Sequence, residues 1–219
     1  MPTYYSQQGE DEFIHQYYLR TFDSDGIFVE VGASDGVEFS NTKFFEDELG
    51  FSGLLIEGAP FYYKSLTKNR PDCKCIHAAI SNTEGTADFL YHSHLSGLPN
   101  HLHRPNVLCP DTKIKREFTK CSVPMRRLDL ILRENSVPYI DYLSIDVEGG
   151  ELEVLESMDW SIPIKVIVIE LWCSPGHPNE AVRNDLCRDI LKRHKFILDR
   201  QLGLNDIWFN PSYSRTQPA

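Results

Sequence analysis

The sequence has little positive charge, no Cys-x-x-Cys pair and no long apolar run. Its 219 residues carry 22 Lys and Arg against 32 Asp and Glu, a net charge of −10, whereas proteins that grip nucleic acid normally have a basic surface. No run approaches the length of about 18 apolar residues that a membrane helix needs. The six cysteines form no Cys-x-x-Cys pair and suggest buried thiols in a reducing compartment. The polar first eight residues contain no signal-peptide core. We therefore expect a cytoplasmic protein with no membrane span and no nucleic-acid partner.

A glycine-containing turn follows the first apolar run. Residues 28–36 read Phe-Val-Glu-Val-Gly-Ala-Ser-Asp-Gly, and a strand that ends in such a turn is typical of the cofactor crevice of an α/β sheet. Gly32 and Gly36 allow close approach of a ligand and positive φ angles, and Glu30 places a carboxylate beside the ligand. The dinucleotide pattern Gly-x-Gly-x-x-Gly would need glycine at positions 34 and 37, which are serine and valine.

Strand-like and helix-like segments alternate along the chain, which predicts an α/β fold with a mostly parallel sheet and helices on both faces. The predicted strands are 27–31, 54–57, 75–80, 139–146, 165–171, 195–199 and 206–209, and the predicted helices are 10–22, 41–49, 61–68, 128–134, 151–157 and 179–193. The last two strands are close enough for an edge hairpin.

Residues 81–124 interrupt this alternation. Two strand-like runs, 86–91 and 118–123, flank a polar loop rich in histidine and proline. Long loops in a compact domain are usually functional, and loops over a crevice commonly select the substrate. We therefore expect 81–124 to be an irregular substrate-loop insertion, and 1–25 to be an N-terminal helical segment of the same domain.

Three further predicted strands end in a carboxylate: Glu57, Asp146 and Glu170. The carboxyl ends of parallel strands share the edge of the sheet where ligands bind. Glu57 comes about one βα unit after the glycine turn, where an acidic side chain usually accepts hydrogen bonds from ribose hydroxyls. The sequence thus predicts a nucleoside-containing cofactor at this edge.

A series of segments, in order from residue 6 to about residue 170, resembles the FkbM family of S-adenosylmethionine-dependent methyltransferases. The matching segments are 6–11, 28–36, 40–42, 44–46 with 49–50, 53–57, 78–81, 127–129 and 141–149. The family usually has proline directly after the acidic residue of the second strand, where this chain has Gly58 and places proline at Pro60.

The resemblance implies a single class I, Rossmann-like methyltransferase domain over 1–219, with a seven-stranded sheet whose last strand is antiparallel. It also implies S-adenosylmethionine as cofactor and a hydroxyl oxygen of a sugar, glycan or similar polyhydroxyl molecule as acceptor. By this resemblance Glu30, Gly32, Ser34 and Gly36 would line the methionine end, Glu57 would hold the ribose, Ala78, Ala79 and Ile80 would border the adenine, and Asp146 would face the methionine amine or the reaction centre. Ala33, Asp35, Asn41 and Gly58 complete the expected cofactor-binding set.

An alcohol is a poor nucleophile until its proton is removed, so a base or a metal ion must assist the transfer. Asp146 and Glu170 are the catalytic candidates, and with Glu148 they could hold Mg²⁺ or Mn²⁺. The metal-free alternative is His177, which follows the fifth core strand and would act as a side-chain base.

Four histidines fall close together in the insertion: His92, His94, His101 and His103, with Cys109 nearby. Their spacing matches no zinc finger or ribbon, so a substrate-binding loop whose imidazoles bind a polyol fits better. The basic residues of 113–120 either bind an anionic sugar or form a solvated loop. Gln7, Gln8 and Glu10 either cap the first helix or contact the crevice. Three other functions stay open: a nicotinamide-dependent oxidoreductase, a domain that binds S-adenosylmethionine without turnover, and a nucleic-acid methyltransferase, which the acidic net charge disfavours.

Overall fold

The computed structural model describes residues 2–22, 25–92, 95–102, 117–173 and 178–215. The strands are β1 (Ile27–Val31), β2 (Ser52–Glu57), β3 (Lys74–His77), β4 (Ala79–Ile80), β5 (Gly85–His92), β6 (Leu95–Gly97), β7 (Thr119–Arg126), β8 (Ile140–Ile145), β9 (Ile164–Glu170), β10 (Ile197–Leu202) and β11 (Asn205–Phe209). The helices are α1 (Glu10–Ile14), which continues as a π-helical turn over His15–Leu19, α2 (Lys43–Leu49), α3 (Pro60–Asn69), α4 (Leu128–Glu134), α5 (Glu151–Glu156) and α6 (Pro178–Arg193).

Seven strands form the main sheet, in the order β10-β11-β9-β8-β1-β2-β3. All neighbouring pairs from β3 to β9 are parallel, and β11 runs antiparallel to both β9 and β10. This confirms the predicted mostly parallel sheet with an antiparallel last strand and an edge hairpin. The carboxyl ends of β1, β2, β8 and β9 consequently lie along one edge.

Alternate side chains of the strands pack into two buried clusters, one on each face of the sheet. Val29 and Val31 of β1 join the cluster that contains α4, α5 and α6, whereas Phe28 joins the cluster that contains α1, α2 and α3. Strands buried on both faces require helices on both faces, as the sequence predicts. Within the described ranges, no helix combines the length and the apolar composition that crossing a bilayer requires.

A second sheet, in the order β4-β7-β5-β6, lies beside the first. The predicted strand 75–80 is wrong as a single element, because it divides at Ala78. The Ala78 N–H donates to the Glu57 carbonyl at 3.1 Å, the next residues leave β2, and Ala79 then pairs with Met125 of β7. The two strand-like runs of the insertion are β5 and β7, and they pair antiparallel from Gly85 to Tyr91.

Two helix boundaries also differ from the predictions, for local reasons. The helix expected over 41–49 begins only at Lys43, because the Asn41 N–H donates to the Glu30 carboxylate at 2.9 Å and Thr42 Oγ1 does so at 2.6 Å. The first helix changes to π-helical geometry at His15 and ends at Leu19 rather than at residue 22.

Candidate functional site

A cavity of about 280 Å³ opens at the carboxyl ends of β1, β2, β8 and β9, where open α/β sheets bind ligands. It brings together most of the predicted site residues, namely Glu30, Gly32, Ala33, Ser34, Glu57, Gly58, Ala78, Ala79, Ile80, Asp146, Glu148 and Glu170. These residues come from both sheets and from three βα loops, so the cavity exists only in the folded chain.

Gly32 allows two strand ends to meet at the floor of the cavity. Its φ is +90°, and a Cβ at this position would lie only 1.7 Å from the carbonyl oxygen of Asp146. The Gly32 and Ala33 N–H groups donate to the Ile56 carbonyl at 2.9 and 3.0 Å, and the Asp146 N–H donates to the Val31 carbonyl at 3.0 Å. Glycine is therefore required at position 32 because the Asp146 backbone lies so close, whether or not a ligand is bound.

Glu30 supports the wall of the cavity from inside the protein. It is buried, and its carboxylate accepts hydrogen bonds from the Asn41 N–H, from Thr42 Oγ1 and from Ser40 Oγ. Burial raises the pKa of Glu30, while the nearby Arg70 guanidinium lowers it. Glu30 thus joins β1 to the segment that precedes α2.

Three residues predicted to bind the cofactor do not line the cavity. The Asp35 carboxylate accepts hydrogen bonds from the N–H groups of Val37 and Glu38, both at 2.9 Å. The Gly36 carbonyl accepts from buried Arg70 at 3.0 Å, and the Asn41 amide donates to Ser144 Oγ at 3.0 Å. In this structure these side chains and carbonyls shape the loop around the cavity.

Glu57 lies inside the cavity and is held by two backbone donors. Its carboxylate accepts from the Ser34 N–H at 2.8 Å and from the Ala59 N–H at 2.6 Å. Burial raises the pKa of Glu57 to about 7, although these hydrogen bonds lower it. A carboxylate has about four acceptor positions, so Glu57 can accept further hydrogen bonds from a diol.

Gly58 makes room for an aromatic ring from the second sheet. A Cβ on Gly58 would lie 2.7 Å from Cζ of Phe89, and Phe89 lines the cavity together with Ala78 and Ala79. A proline ring at position 58 would meet the same phenyl ring. Phe89 is a wall residue that sequence reasoning missed, because its position in the cavity depends on the pairing of β5 with β7.

Asp146, Glu148 and Glu170 form a carboxylate cluster at one end of the cavity. One oxygen from each lies within 4.8 Å of the others. Glu148 has a left-handed backbone, with φ of +57°, and Glu151 holds this loop by accepting from the Gly149 N–H at 2.9 Å. Burial and the charges of Asp146 and Glu148 raise the pKa of Glu170 well above its usual range. Three oxygen donors at this separation fit a divalent cation such as Mg²⁺ or Mn²⁺.

The segment 95–102, from the predicted insertion, covers the carboxylate end of the cavity. Leu95, Ser96, Gly97, Leu98 and His101 line the cavity, and so do Gln7, Glu38 and Phe39. Gln7 belongs to the matching segment 6–11, for which a crevice contact was one of two interpretations, whereas 95–98 carry no recognisable motif.

Of the remaining histidines of the predicted loop, only His92 belongs to the described residues, and it does not line the cavity. His92 Nδ1 lies 3.0 Å from the Glu117 carbonyl, away from the cavity lining. His94, His103, Cys109 and the alternative base His177 lie outside the described residues, as do 113–116 of the basic cluster. Lys120, also in that cluster, pairs with Asp88 at 2.7 Å on the exposed face of β5 and β7.

Comparisons with known proteins point to one enzyme class. The family model described as "Methyltransferase FkbM domain" matches residues 30–198. The chain is 27% identical over 192 residues to Methyltransferase sdnD of Sordaria araneosa, covering 74% of this chain and 72% of that protein.

Solved structures show the same fold at low sequence identity. The crystal structure of Methyltransferase FkbM from Methylobacillus flagellatus KT superposes with a TM-score of 0.52 at 13% identity, covering 91% of this chain and 50% of that one. The METTL16 methyltransferase domain superposes with a TM-score of 0.50 at 10% identity, covering 91% and 65%. The chain thus spans half of the length of the Methylobacillus protein.

Proposed function

The chain belongs to the FkbM family of S-adenosylmethionine-dependent methyltransferases, and on that premise we propose that it transfers the methyl group to a hydroxyl of a sugar, glycan or similar polyhydroxyl acceptor. The observation that carries this proposal is the carboxylate cluster at one end of the cofactor cavity. Asp146, Glu148 and Glu170 offer carboxyl oxygens, which suit hydroxyl groups directly or through a divalent cation.

The charge around the cavity supports a neutral acceptor. Glu38 lines the cavity in addition to the three clustered carboxylates, so an anionic group would be repelled unless a cation were bound. Gln7, Ser96 and His101 add polar groups to the same lining, and such groups can bind the several hydroxyls of a sugar.

Different residues of the cavity bind the nucleoside and the methionine end of the cofactor. Bound S-adenosylmethionine supplies an electrophilic methyl group. Glu57 accepts hydrogen bonds from the ribose hydroxyls, and Ala78, Ala79, Ile80 and Phe89 provide an apolar surface for the adenine ring. The turn at Gly32 and Ser34 lines the methionine end, and Asp146 with Glu170 orients the acceptor oxygen in line with the methyl group. As a further part of the proposal, Asp146, Glu148 and Glu170 would hold Mg²⁺ or Mn²⁺, which would lower the pKa of a bound hydroxyl.

Calorimetry with S-adenosylmethionine, with NAD⁺ as control, tests the cofactor, and transfer of ¹³C-labelled methyl to a panel of methyl glycosides and nucleotide sugars tests the acceptor. We expect S-adenosylmethionine alone to bind, and a sugar hydroxyl to be labelled. Preference for NAD⁺ would favour an oxidoreductase, and binding without labelling of any sugar would favour a domain without turnover on such acceptors.

The Asp146→Asn variant tests the carboxylate cluster. We expect it to reduce transfer by at least about 100-fold, since positioning of the acceptor and its activation are both lost. Asp199→Asn, at an exposed position of β10, is the matched control and should retain activity.

If the cluster holds a metal ion, EDTA should stop transfer and Mg²⁺ or Mn²⁺ should restore it. Activity unaffected by EDTA would contradict the proposed metal site.

A further inference from the structure

His101 lies in a wall that separates two cavities. On one side is the cofactor cavity with its carboxylate cluster. On the other side is a second cavity of about 420 Å³, whose lining includes Asn82, Asp88, Asn100 and Glu153. His101 lines both cavities, and Glu153 lines the second one.

The two ring nitrogens of His101 have different surroundings. Nε2 lies 3.5 Å from Glu153 Oε1, and Glu153 is itself held in an ion pair by Arg183, which also donates to the Gly149 carbonyl at 3.2 Å. Nδ1 is buried and, within the described part of the chain, has no hydrogen-bond partner. It faces the loop after β8, 4.0 Å from the point where a Cβ on Gly150 would stand.

This arrangement favours one tautomer of the imidazole. A carboxylate beside Nε2 favours the proton on that nitrogen, which leaves the lone pair on Nδ1. Nδ1 then points toward a loop that lines the cofactor cavity and carries Asp146 and Glu148. A buried polar atom without a partner is costly, so an unpaired acceptor at this position suggests that a ligand supplies the partner.

We propose that His101 is the general base of the methyl transfer and that Glu153 is its positioning residue, an inference that rests on the proposed function. The acceptor oxygen bonds to the methyl carbon while the carbon–sulfur bond breaks, and that electron pair stays on sulfur as a thioether. The hydroxyl proton passes to Nδ1 of His101. The positive charge of the sulfonium is thereby transferred to an imidazolium, and no further reactant is needed.

The charged groups around His101 favour this proton transfer. Burial lowers the pKa of His101, Glu153 opposes that shift and Arg183 adds to it, so the ring is neutral and ready to accept a proton near pH 7. On the side of the cofactor cavity, the titratable groups of the lining are the carboxyl groups of Glu30, Glu38, Glu57, Asp146, Glu148 and Glu170. The imidazolium that forms is next to Glu153, and its Nε2 proton can pass to Glu153 and leave through the second cavity.

Nuclear magnetic resonance of the imidazole groups tests the proposal without a known acceptor. The pKa of His101, identified by the signal missing from His101→Gln, is measured with S-adenosylmethionine and with S-adenosylhomocysteine, which lacks the methyl group and the positive charge on sulfur. A base beside the reacting carbon should be harder to protonate next to the sulfonium. We expect its pKa to be lower with S-adenosylmethionine by about one unit, a tenfold change in the protonation equilibrium.

His194, which stacks on Trp160 at 4.2 Å between ring centroids, is the control in the same spectrum and should titrate identically with both ligands. Equal His101 pKa values with both ligands would overturn the role of His101 and leave the proposed function standing. Failure of both ligands to bind in calorimetry would overturn the proposed function and this inference with it.

A second measurement uses a sugar methylated in the panel. His101→Gln should bind S-adenosylmethionine within about twofold of wild type and lose about 10²–10⁴-fold in transfer rate, while His194→Gln retains its rate. Glu153→Gln should shift the pH profile of the rate, because the ring loses its orienting carboxylate. A fully active His101→Gln protein would overturn the proposal.

Discussion

Glu57 is a buried carboxylate that has two roles in the same place. It joins the loops after β1 and β2 by accepting hydrogen bonds from the N–H groups of Ser34 and Ala59. Its carboxylate oxygens can still accept hydrogen bonds from a ligand in the cavity. Burial raises its pKa to about 7 from an ordinary value of 4.5. Because the pKa of Glu57 differs between the folded and the unfolded protein, the stability of the free protein depends on pH.

The Glu57→Gln variant tests this dependence. Because the folded-state pKa lies above the unfolded value, the proton bound by Glu57 stabilises the folded protein fully below pH 4.5, and this contribution is lost as the pH rises to about 7. We expect the free energy of unfolding of wild type, relative to Glu57→Gln, to fall by about 3 kcal/mol across that window. Urea unfolding at a series of pH values measures the difference.

Glu84→Gln is the control for this pH series. The hydrogen bond from Arg126 lowers the pKa of the exposed Glu84, so its titration falls below the window. The difference between wild type and Glu84→Gln should be constant from pH 4.5 to 7. A similarly constant difference for Glu57→Gln would contradict the raised pKa of Glu57.

At the scale of elements, the segment between β1 and α2 is held by one side chain from the end of α3. Arg70 is fully buried, forms an ion pair with Glu46, and donates to the Gly36 carbonyl at 3.0 Å and to Ser40 Oγ at 3.3 Å. This segment has no regular structure of its own until Lys43, yet Glu38, Phe39 and Ser40 line the cavity. Arg70 therefore couples α3 to the shape of the site.

We predict that Arg70→Met destabilises the protein by about 3–5 kcal/mol. It leaves the buried Gly36 carbonyl without its donor, and partly buried Glu46 with the longer contact to Lys43 at 3.9 Å. It should also weaken S-adenosylmethionine binding, because the wall of the cavity is no longer held. Urea unfolding and calorimetry measure the two effects.

Lys120→Met is the matched control for Arg70→Met. Lys120 pairs with Asp88 at 2.7 Å, but both side chains are more than half exposed, and such pairs contribute less than about 1 kcal/mol. Equal losses in the two variants would show that Arg70 is not a structural support of the site.

At the scale of the whole molecule, two sheets share one cavity. The chain crosses between them at Ala78, which connects β3 to β4 (Ala79–Ile80). All three residues line the cavity. The first sheet supplies Glu57, Asp146 and Glu170, and the second supplies Phe89 and the segment 95–102. A ligand bound in the cavity contacts both and should stabilise them together.

Hydrogen exchange measures this coupling. With S-adenosylmethionine at about 100 times its dissociation constant, the folded state gains about 2.7 kcal/mol. We expect amide exchange to slow in 32–42 and in 95–102 together, whereas the exposed edge strand β10, remote from the cavity, changes least. Protection confined to 32–42 would contradict the assignment of the second sheet to the site.

Local spacing in the sequence was enough to predict the main sheet and the residues at its carboxyl edge. Val29 and Val31 pack on one face of the sheet and Phe28 on the other, and a turn of small residues after such a strand is typical of a ligand crevice. The predicted strand 75–80 shows the limit: an apolar run does not reveal that its first half pairs with β2 and its second half with β7. That choice depends on hydrogen bonds to residues far away in the chain.

The sequence by itself therefore determined the fold class, the family and the rim of carboxylates, because periodicity, turn residues and motif order are local properties. Only the tertiary structure decided which residues face the cavity. In the structure, Asp35 and Asn41 form hydrogen bonds that stabilise the loop beside the cavity. Phe89 packs against Gly58. His101 lies between Glu153 and the loop that carries Asp146 and Glu148. These contacts join residues that are distant in sequence, and they form only when packing and strand pairing are satisfied for the whole chain.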